Sequence, residues 1–343
     1  MRQKTNFTKA AILAWARDEG PDKLDSFALE EILEPLFSSL RLAPGILEDL
    51  TGVKTRRLYP HGSPPSRGAI KAAQNLFLTT GYRPEDMDLI YSTSVGRDYL
   101  EPSTASIIHS QLELPERAAN LDLGSACLGF IDGIYLAALQ VEMGLIDRAL
   151  VVAGENARPL LENTLATLLS PGIGLKDFFR HFASLTLGSG GAAMVVGSSE
   201  ENPRAPRLRG FVSMTDPASN DLCRGDITGM ETDPALLMTR GVLLAKKTFE
   251  KGRELYGWDP LGFDLIVCHQ VSYANTLRFA ETLSLAWDKI PLSYPQYGNM
   301  GPVAIPFTFS LAFDQGRILA GSQVALMGIG SGLTCAMLEL TIP

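Results

Sequence analysis

The chain has 343 residues, 45% of them hydrophobic and 20% charged, with 32 glycines; this composition excludes a disordered or fibrous chain and suffices for a large core, in two domains or two halves of one fold. Its formal net charge of −8 weighs against a nucleic-acid partner, because that binding rests on phosphate neutralisation by Lys and Arg. The four cysteines, Cys127, Cys223, Cys268 and Cys335, form no CxxC pair, which speaks against zinc, and each lies in or beside an apolar segment, as reduced thiols of a cytoplasmic protein do.

Arg2 and Lys4 precede an apolar run, Ala10 to Ala16, which has the order of a signal peptide. The run has the minimum length for that role and is followed at once by Arg17, Asp18 and Glu19, so a first β-strand is the expectation. No apolar stretch approaches the length of a membrane span.

From Gly68 to Val95 a helical apolar pattern leads through a turn into a strand opened by Asp88-Leu89-Ile90. Gly241 to Val271 repeats that order, ending in Asp264-Leu265-Ile266. A second pair of units follows: Cys127 to Val152 and Gly301 to Met327 each read as helix, glycine turn and strand. Matching units in matching order predict a duplicated α/β fold, residues 1–200 carrying Cys127 and residues 201–343 carrying a histidine and an asparagine, joined through the polar connector at 198–206. Residues from about 160 to 186 have no counterpart and read as a helical cap. Strands separated by helices favour parallel pairing, with sites gathered at strand C-termini and helix N-termini.

Cys127 follows the expected strand Ala119–Leu123 and the small residues Gly124, Ser125 and Ala126, and opens a helix whose Gly129, Gly133 and Ala137 share one face. A thiol there feels the positive end of the helix dipole, which favours the thiolate; the plain alternative is a small core residue. His269 ends the strand Asp264–Cys268. Its neighbour Cys268 points to the opposite face, so a distant thiol is the better partner. Asn299 stands in a Gly298-Asn299-Met300-Gly301-Pro302 turn, where a turn or capping role is the commoner use of such an Asn and a functional one is open. Gly328-Ile329-Gly330-Ser331-Gly332 reads as a glycine-rich loop after a strand, suited to bring backbone N–H groups to a phosphate or an oxyanion, although it lacks the P-loop ending.

Asp122-Leu-Gly-Ser-Ala-Cys127-Leu-Gly-Phe130, Cys268-His269-Gln270, Gly298-Asn299 and Gly328-Ile-Gly-Ser-Gly-Leu333 occur in order, after Thr51-Gly-Val-Lys-Thr-Arg-Arg57. Together they resemble the thiolase superfamily, specifically its ketoacyl synthase III branch, over the chain from about Ile46 onward. Ser94-Val-Gly-Arg-Asp-Tyr-Leu-Glu101-Pro-Ser-Thr-Ala-Ser106 and Leu222-Cys-Arg-Gly225 are similar to one group within that branch, the OleA enzymes, which join two fatty acyl chains head to head. The resemblance implies a duplicated, layered α-β-α-β-α fold and a Cys127/His269/Asn299 triad. It also implies a homodimer in which Glu101 reaches the neighbour's site as base, acyl-CoA substrates and a β-keto acid product passed to downstream enzymes; no dinucleotide fingerprint or metal-ligand spacing appears, so no cofactor or metal is expected.

On that reading Cys127 takes up an acyl group as a thioester. The backbone N–H groups of Cys127 and Ser331 hold the oxyanion, and His269 and Asn299 hold the enolate oxygen. Glu101 removes the α-proton of the second acyl-CoA. Two departures stand out. The branch usually has Asn and Arg shortly after its His-Gln, where this chain has Val271, Ser272, Tyr273 and Ala274, which weakens claims about carrier contacts. The superfamily's Gly-Asp-Gly-Ala reads Gly188-Ser189-Gly190-Gly191, from which nothing follows at this level. The alternatives are a decarboxylating ketoacyl synthase III or chain-joining ketosynthase, an acyltransferase or thioesterase that stops at the acyl-enzyme, and a non-catalytic subunit of a thiolase-fold heterodimer.

Overall fold

The structure, a computed structural model, describes residues 4–226 and 229–343; Arg2 lies outside them. Nine strands carry the architecture: β1 (Ala10–Glu19), β2 (Leu89–Ser92), β3 (Ala119–Asp122), β4 (Ala149–Glu155), β5 (Gly190–Ser198), β6 (Arg207–Thr215), β7 (Leu265–Cys268), β8 (Gln323–Gly330) and β9 (Thr334–Thr341). Their order is β7-β8-β9-β6-β1-β5-β4-β2-β3. The run β2-β4-β5-β1 is answered by β7-β8-β9-β6, with the same sequence of parallel and antiparallel pairings in both. The second set has no partner for β3. Within the sheet the two sets join at the edge of β1, where Ala11 opposes Arg207 and Ile12 N–H donates to Pro206 O at 2.9 Å. The sheets are therefore mixed. The expectation of parallel pairing holds for β2 with β3 and β4 and for β7 with β8, and fails for β4 with β5, β5 with β1, β8 with β9 and β9 with β6, which are antiparallel.

The helices that matter for the site are α1 (Ser66–Thr80), α2 (Thr104–Gln111), α3 (Gly129–Glu142), α4 (Arg158–Leu168), α5 (Leu175–His181), α6 (Pro234–Tyr256), α7 (Tyr273–Leu283) and α8 (Ala304–Asp314). Strand alternation sorts the core into layers. Ala149, Val151 and Ala153 of β4, with Leu265 and Val267 of β7, face a central core with Ile131 and Ile134 of α3 and Phe307 and Phe309 of α8. Leu150 and Val152 face an outer core with Ala69, Ala72 and Leu76 of α1, while Ile266 and Cys268 face the other outer core with Leu244 and Phe249 of α6. This is the α-β-α-β-α layering of the thiolase fold. Phe307 and Phe309, wholly buried, each contribute about 1.5–3 kcal/mol of apolar burial.

The apolar run at the N-terminus is strand β1, extended through Arg17, Asp18 and Glu19. The charged end is accommodated because Asp18 accepts a hydrogen bond from Tyr59 Oη (2.7 Å) and Glu19 one from Tyr297 Oη (3.0 Å). Helices α4 and α5 and the 3-10 turn Phe182–Thr186 fill the stretch read as a cap. They bury Leu161, Leu168, Phe178 and Leu185 against Leu29, Leu33, Phe37 and Leu47 of a segment of three short helices over residues 26–51, most of which precedes the stretch that carries the family resemblance. Gly191 belongs to the motif left unread above. A Cβ there would lie 2.0 Å from Gly68 O, so its absence lets α1 rest directly on β5. Among the described residues, no helix is long and apolar enough to cross a membrane.

Candidate active site

Cys127 sits in a 3-10 turn, Ala126–Leu128, between β3 and α3. Ala126 takes a left-handed φ of 46°, which costs a side-chain-bearing residue roughly 1–2 kcal/mol. The turn is held by Leu128 N–H donating to Ser125 O at 3.0 Å and by Gly129 N–H donating to Ala126 O, bonds that leave the Cys127 amide unused. Asp132, on the first turn of α3, accepts a hydrogen bond from the Ser125 side chain. The small face of α3 does what its spacing suggested: a Cβ on Gly129 would stand 2.6 Å from Thr93 O, and one on Gly133 would stand 2.8 Å from Val151 Cγ1.

The thiolate expectation needs correction. Burial pushes the Cys127 thiol up to about 12; the charges of Cys223 and Glu155 push the same way, and only its own backbone N–H opposes them. Desolvation outweighs the single turn of dipole ahead of α3, so the resting group is a neutral thiol.

His269 follows β7 and donates its N–H to Met327 O at 2.8 Å. Its side chain faces away from Cys268, which points into the outer core. Burial alone drops the imidazole to about 4, so the ring is neutral. Nδ1 is buried without a partner. Because a buried N–H without an acceptor is costlier than a bare lone pair, the proton belongs on Nε2, the ring atom that remains accessible.

Asn299 is buried, its N–H donating to Thr186 O (2.8 Å) and its carbonyl accepting from Gly188 N–H (2.9 Å). Its Oδ1 accepts from Gly301 N–H at 3.0 Å. This is the cap role left open above. The cap also fixes the amide orientation, because only oxygen can take that bond; Nδ2 is left as a donor without a partner among the described residues.

These pieces meet at the end of β8. A Cβ on Gly328 would lie 2.7 Å from Leu128 Cδ2 and 3.6 Å from His269 Cβ, and one on Gly330 would lie 3.4 Å from Cys127 N. The Cys127 turn also packs on Gly301–Val303, beside Asn299. The glycine-rich segment is thus not a loop, as the sequence suggested, but the last part of β8, paired with β9 as far as Gly330 opposite Thr334. Only Ser331, Gly332 and Leu333 form the turn.

Glu101 is not brought to this cluster. It is exposed, with no hydrogen bond or ion pair among the described residues, at the tip of a loop where Tyr99 and Leu100 are 64% and 93% exposed. Among the described residues, no group of three or more His, Cys, Asp or Glu side chains is placed to hold a metal ion.

The 3-oxoacyl-[acyl-carrier-protein] synthase III family matches residues 121–217 and its C-terminal part residues 254–342. The chain is 38% identical to the acyl-CoA:acyl-CoA alkyltransferase of Xanthomonas campestris pv. campestris, over 97% of this chain and 99% of that one. The chain belongs to the acyl-CoA:acyl-CoA alkyltransferase family. The Shewanella oneidensis alkyltransferase is 33% identical, over 97% and 99% of the two chains. Crystal structures of Xanthomonas campestris OleA superimpose with a TM-score of 0.95 at 37% identity, covering 99% of this chain and 100% of that one. They include a form with bound lauric acid and lauroyl-CoA, and variants replaced at a cysteine, a histidine and a glutamate.

As an alkyltransferase site, this one holds a residue that sequence reasoning missed. Glu155, the last residue of β4, is raised to about 7 by burial, against the pull of the Val95 and Gly96 N–H groups, and its charge bears on Cys127. A carboxylate closing an apolar strand was the available signal.

Proposed function

We propose that the chain condenses two fatty acyl-CoA thioesters head to head, without decarboxylation, to a β-keto acid. Cys127 Sγ attacks the first thioester carbonyl; the C–S bond to CoA breaks, and CoA leaves with the thiol proton. The oxyanion is held by the Cys127 and Ser331 N–H groups, at the place where Gly330 lets β8 approach the Cys127 amide. Glu101 of a second copy removes the α-proton of the second acyl-CoA. His269 Nε2–H and Asn299 Nδ2–H donate to the enolate oxygen, and the carbanion attacks the Cys127 thioester and expels the thiolate. Hydrolysis of the remaining CoA ester gives the β-keto acid, for enzymes that consume such acids.

One observation carries this reading over a decarboxylating one. The cysteine, histidine and glutamate replaced in the Xanthomonas variants have the same spacing along their chain as Cys127, His269 and Glu101 have here. A decarboxylating synthase obtains its carbanion by losing CO2 and has no use for that glutamate. The exposed apolar tip bearing Glu101 supports a homodimer in which the tip enters the partner's site. The test is incubation with a long-chain acyl-CoA alone, followed by mass spectrometry. Acyl-Cys127 together with β-keto acid, or the ketone it decays to, is expected; product only when malonyl thioester is added overturns the reading.

A further inference from the structure

The loop from Val95 to Ser103, which carries Glu101, is bolted down at both ends. Before its tip, Asp98 accepts from Ser66 N–H (2.9 Å) and Ser66 Oγ (2.5 Å), and at its far end Asp122 accepts from Thr104 N–H (3.0 Å) and Ala105 N–H (2.7 Å). At its near end the two consecutive amides of Val95 and Gly96 donate to the two carboxylate oxygens of Glu155, at 2.5 and 3.3 Å. No cation pairs with Glu155 among the described residues, and its only hydrogen bonds are these two. Gly96 lies close against Pro65 and Glu155: a Cβ there would meet Pro65 Cγ at 3.0 Å and Glu155 Oε2 at 3.4 Å. Burying a carboxylate costs free energy unless hydrogen bonds compensate it, and here those bonds come from the loop.

We propose that Glu155 is a positioning residue for condensation: by clamping Val95 and Gly96 it sets where the tip of its own chain delivers Glu101, and so acts on the partner's site rather than on its own Cys127. This rests on the partner-delivered base proposed above. A general base must reach its proton within hydrogen-bond distance, and displacement of such a group by about 1 Å costs roughly 100-fold. Glu155→Ala therefore lowers condensation about 100-fold while acyl-Cys127 still forms from acyl-CoA.

The experiment uses mixed dimers assembled from two differently tagged full-length chains. A dimer of Cys127→Ala with Glu101→Ala has one site with both a thiol and an intact base, and condensation is expected from it. A dimer of Cys127→Ala with Glu155→Ala is expected to match it, because the surviving thiol is served by a chain whose Glu155 is intact. If the first dimer works and the second is silent, Glu155 serves its own chain's site and the proposal is overturned. If the first is silent, the partner-delivered base itself fails. Wild-type condensation by the Glu155→Ala homodimer also overturns the proposal. Should Glu155→Ala not fold, Glu155→Gln, which keeps one acceptor oxygen, carries the same test.

Discussion

Gly188 N–H donates to Asn299 O at 2.9 Å, and a Cβ on Gly188 would stand 1.8 Å from Tyr297 O. The turn that presents Asn299 Nδ2 therefore lies directly on a backbone with no side chain. Gly188→Ala must push that turn away. A loss of about 3 kcal/mol or more is expected in urea unfolding, as for severe overpacking, together with loss of condensation; a stable, active variant would contradict this packing.

A thiol held near 12 by burial is slow toward alkylating agents at neutral pH, because the thiolate is the nucleophile. Iodoacetamide modification of Cys127 in the substrate-free protein should quicken about tenfold per pH unit up to pH 9. A plateau near pH 7 would show an activated thiolate instead. Cys127→Ser should give no acyl-thioester adduct by intact mass.

If His269 donates to the enolate oxygen as proposed, His269→Ala should lower condensation about 100- to 1,000-fold. Because burial holds the imidazole at about 4, its protonation should leave no inflection in the pH–rate profile between pH 5 and 8. For stability the sign is fixed by proton uptake. Below the ordinary value of 6.5 the unfolded chain binds a proton at His269 that the folded chain refuses until about 4. Stability is thus present above 6.5 and lost as pH falls through that window. His269→Asn should flatten that part of the Tm–pH curve.

Glu101→Ala should lower condensation about 100- to 10,000-fold, the range for removing a positioned base, while acylation of Cys127 proceeds. Single-turnover measurement of each half-reaction separates the two. Loss of acylation would make Glu101 structural.

Leu100 is 93% exposed beside Glu101, and Leu100→Asp places a charge where the partner would bury it. Sedimentation should show a shift toward monomer, with condensation lost in parallel. An unchanged dimer would place the interface elsewhere.

The places of Cys127, His269 and Asn299 were legible in the sequence because a strand, a tight turn and a helix are local events; the repeat of such units pointed to a duplicated α/β fold, while the triad and the layering came from the family resemblance. What the sequence left open required neighbours distant along the chain. The amide orientation of Asn299 depends on Gly301 and on the 3-10 turn that follows it. The state of the thiol depends on how completely β8, α3 and the surrounding elements exclude water, which reversed the dipole argument. The Gly328–Gly330 run read as a loop because glycine signals flexibility; it is a strand because pairing with β9 and close passage between His269 and Leu128 leave no space for side chains. Glu155 closes an apolar strand, and its partners are not given by its neighbours in sequence. Only folding sets Val95 and Gly96 against it, and that contact ties the loop carrying Glu101 to β4.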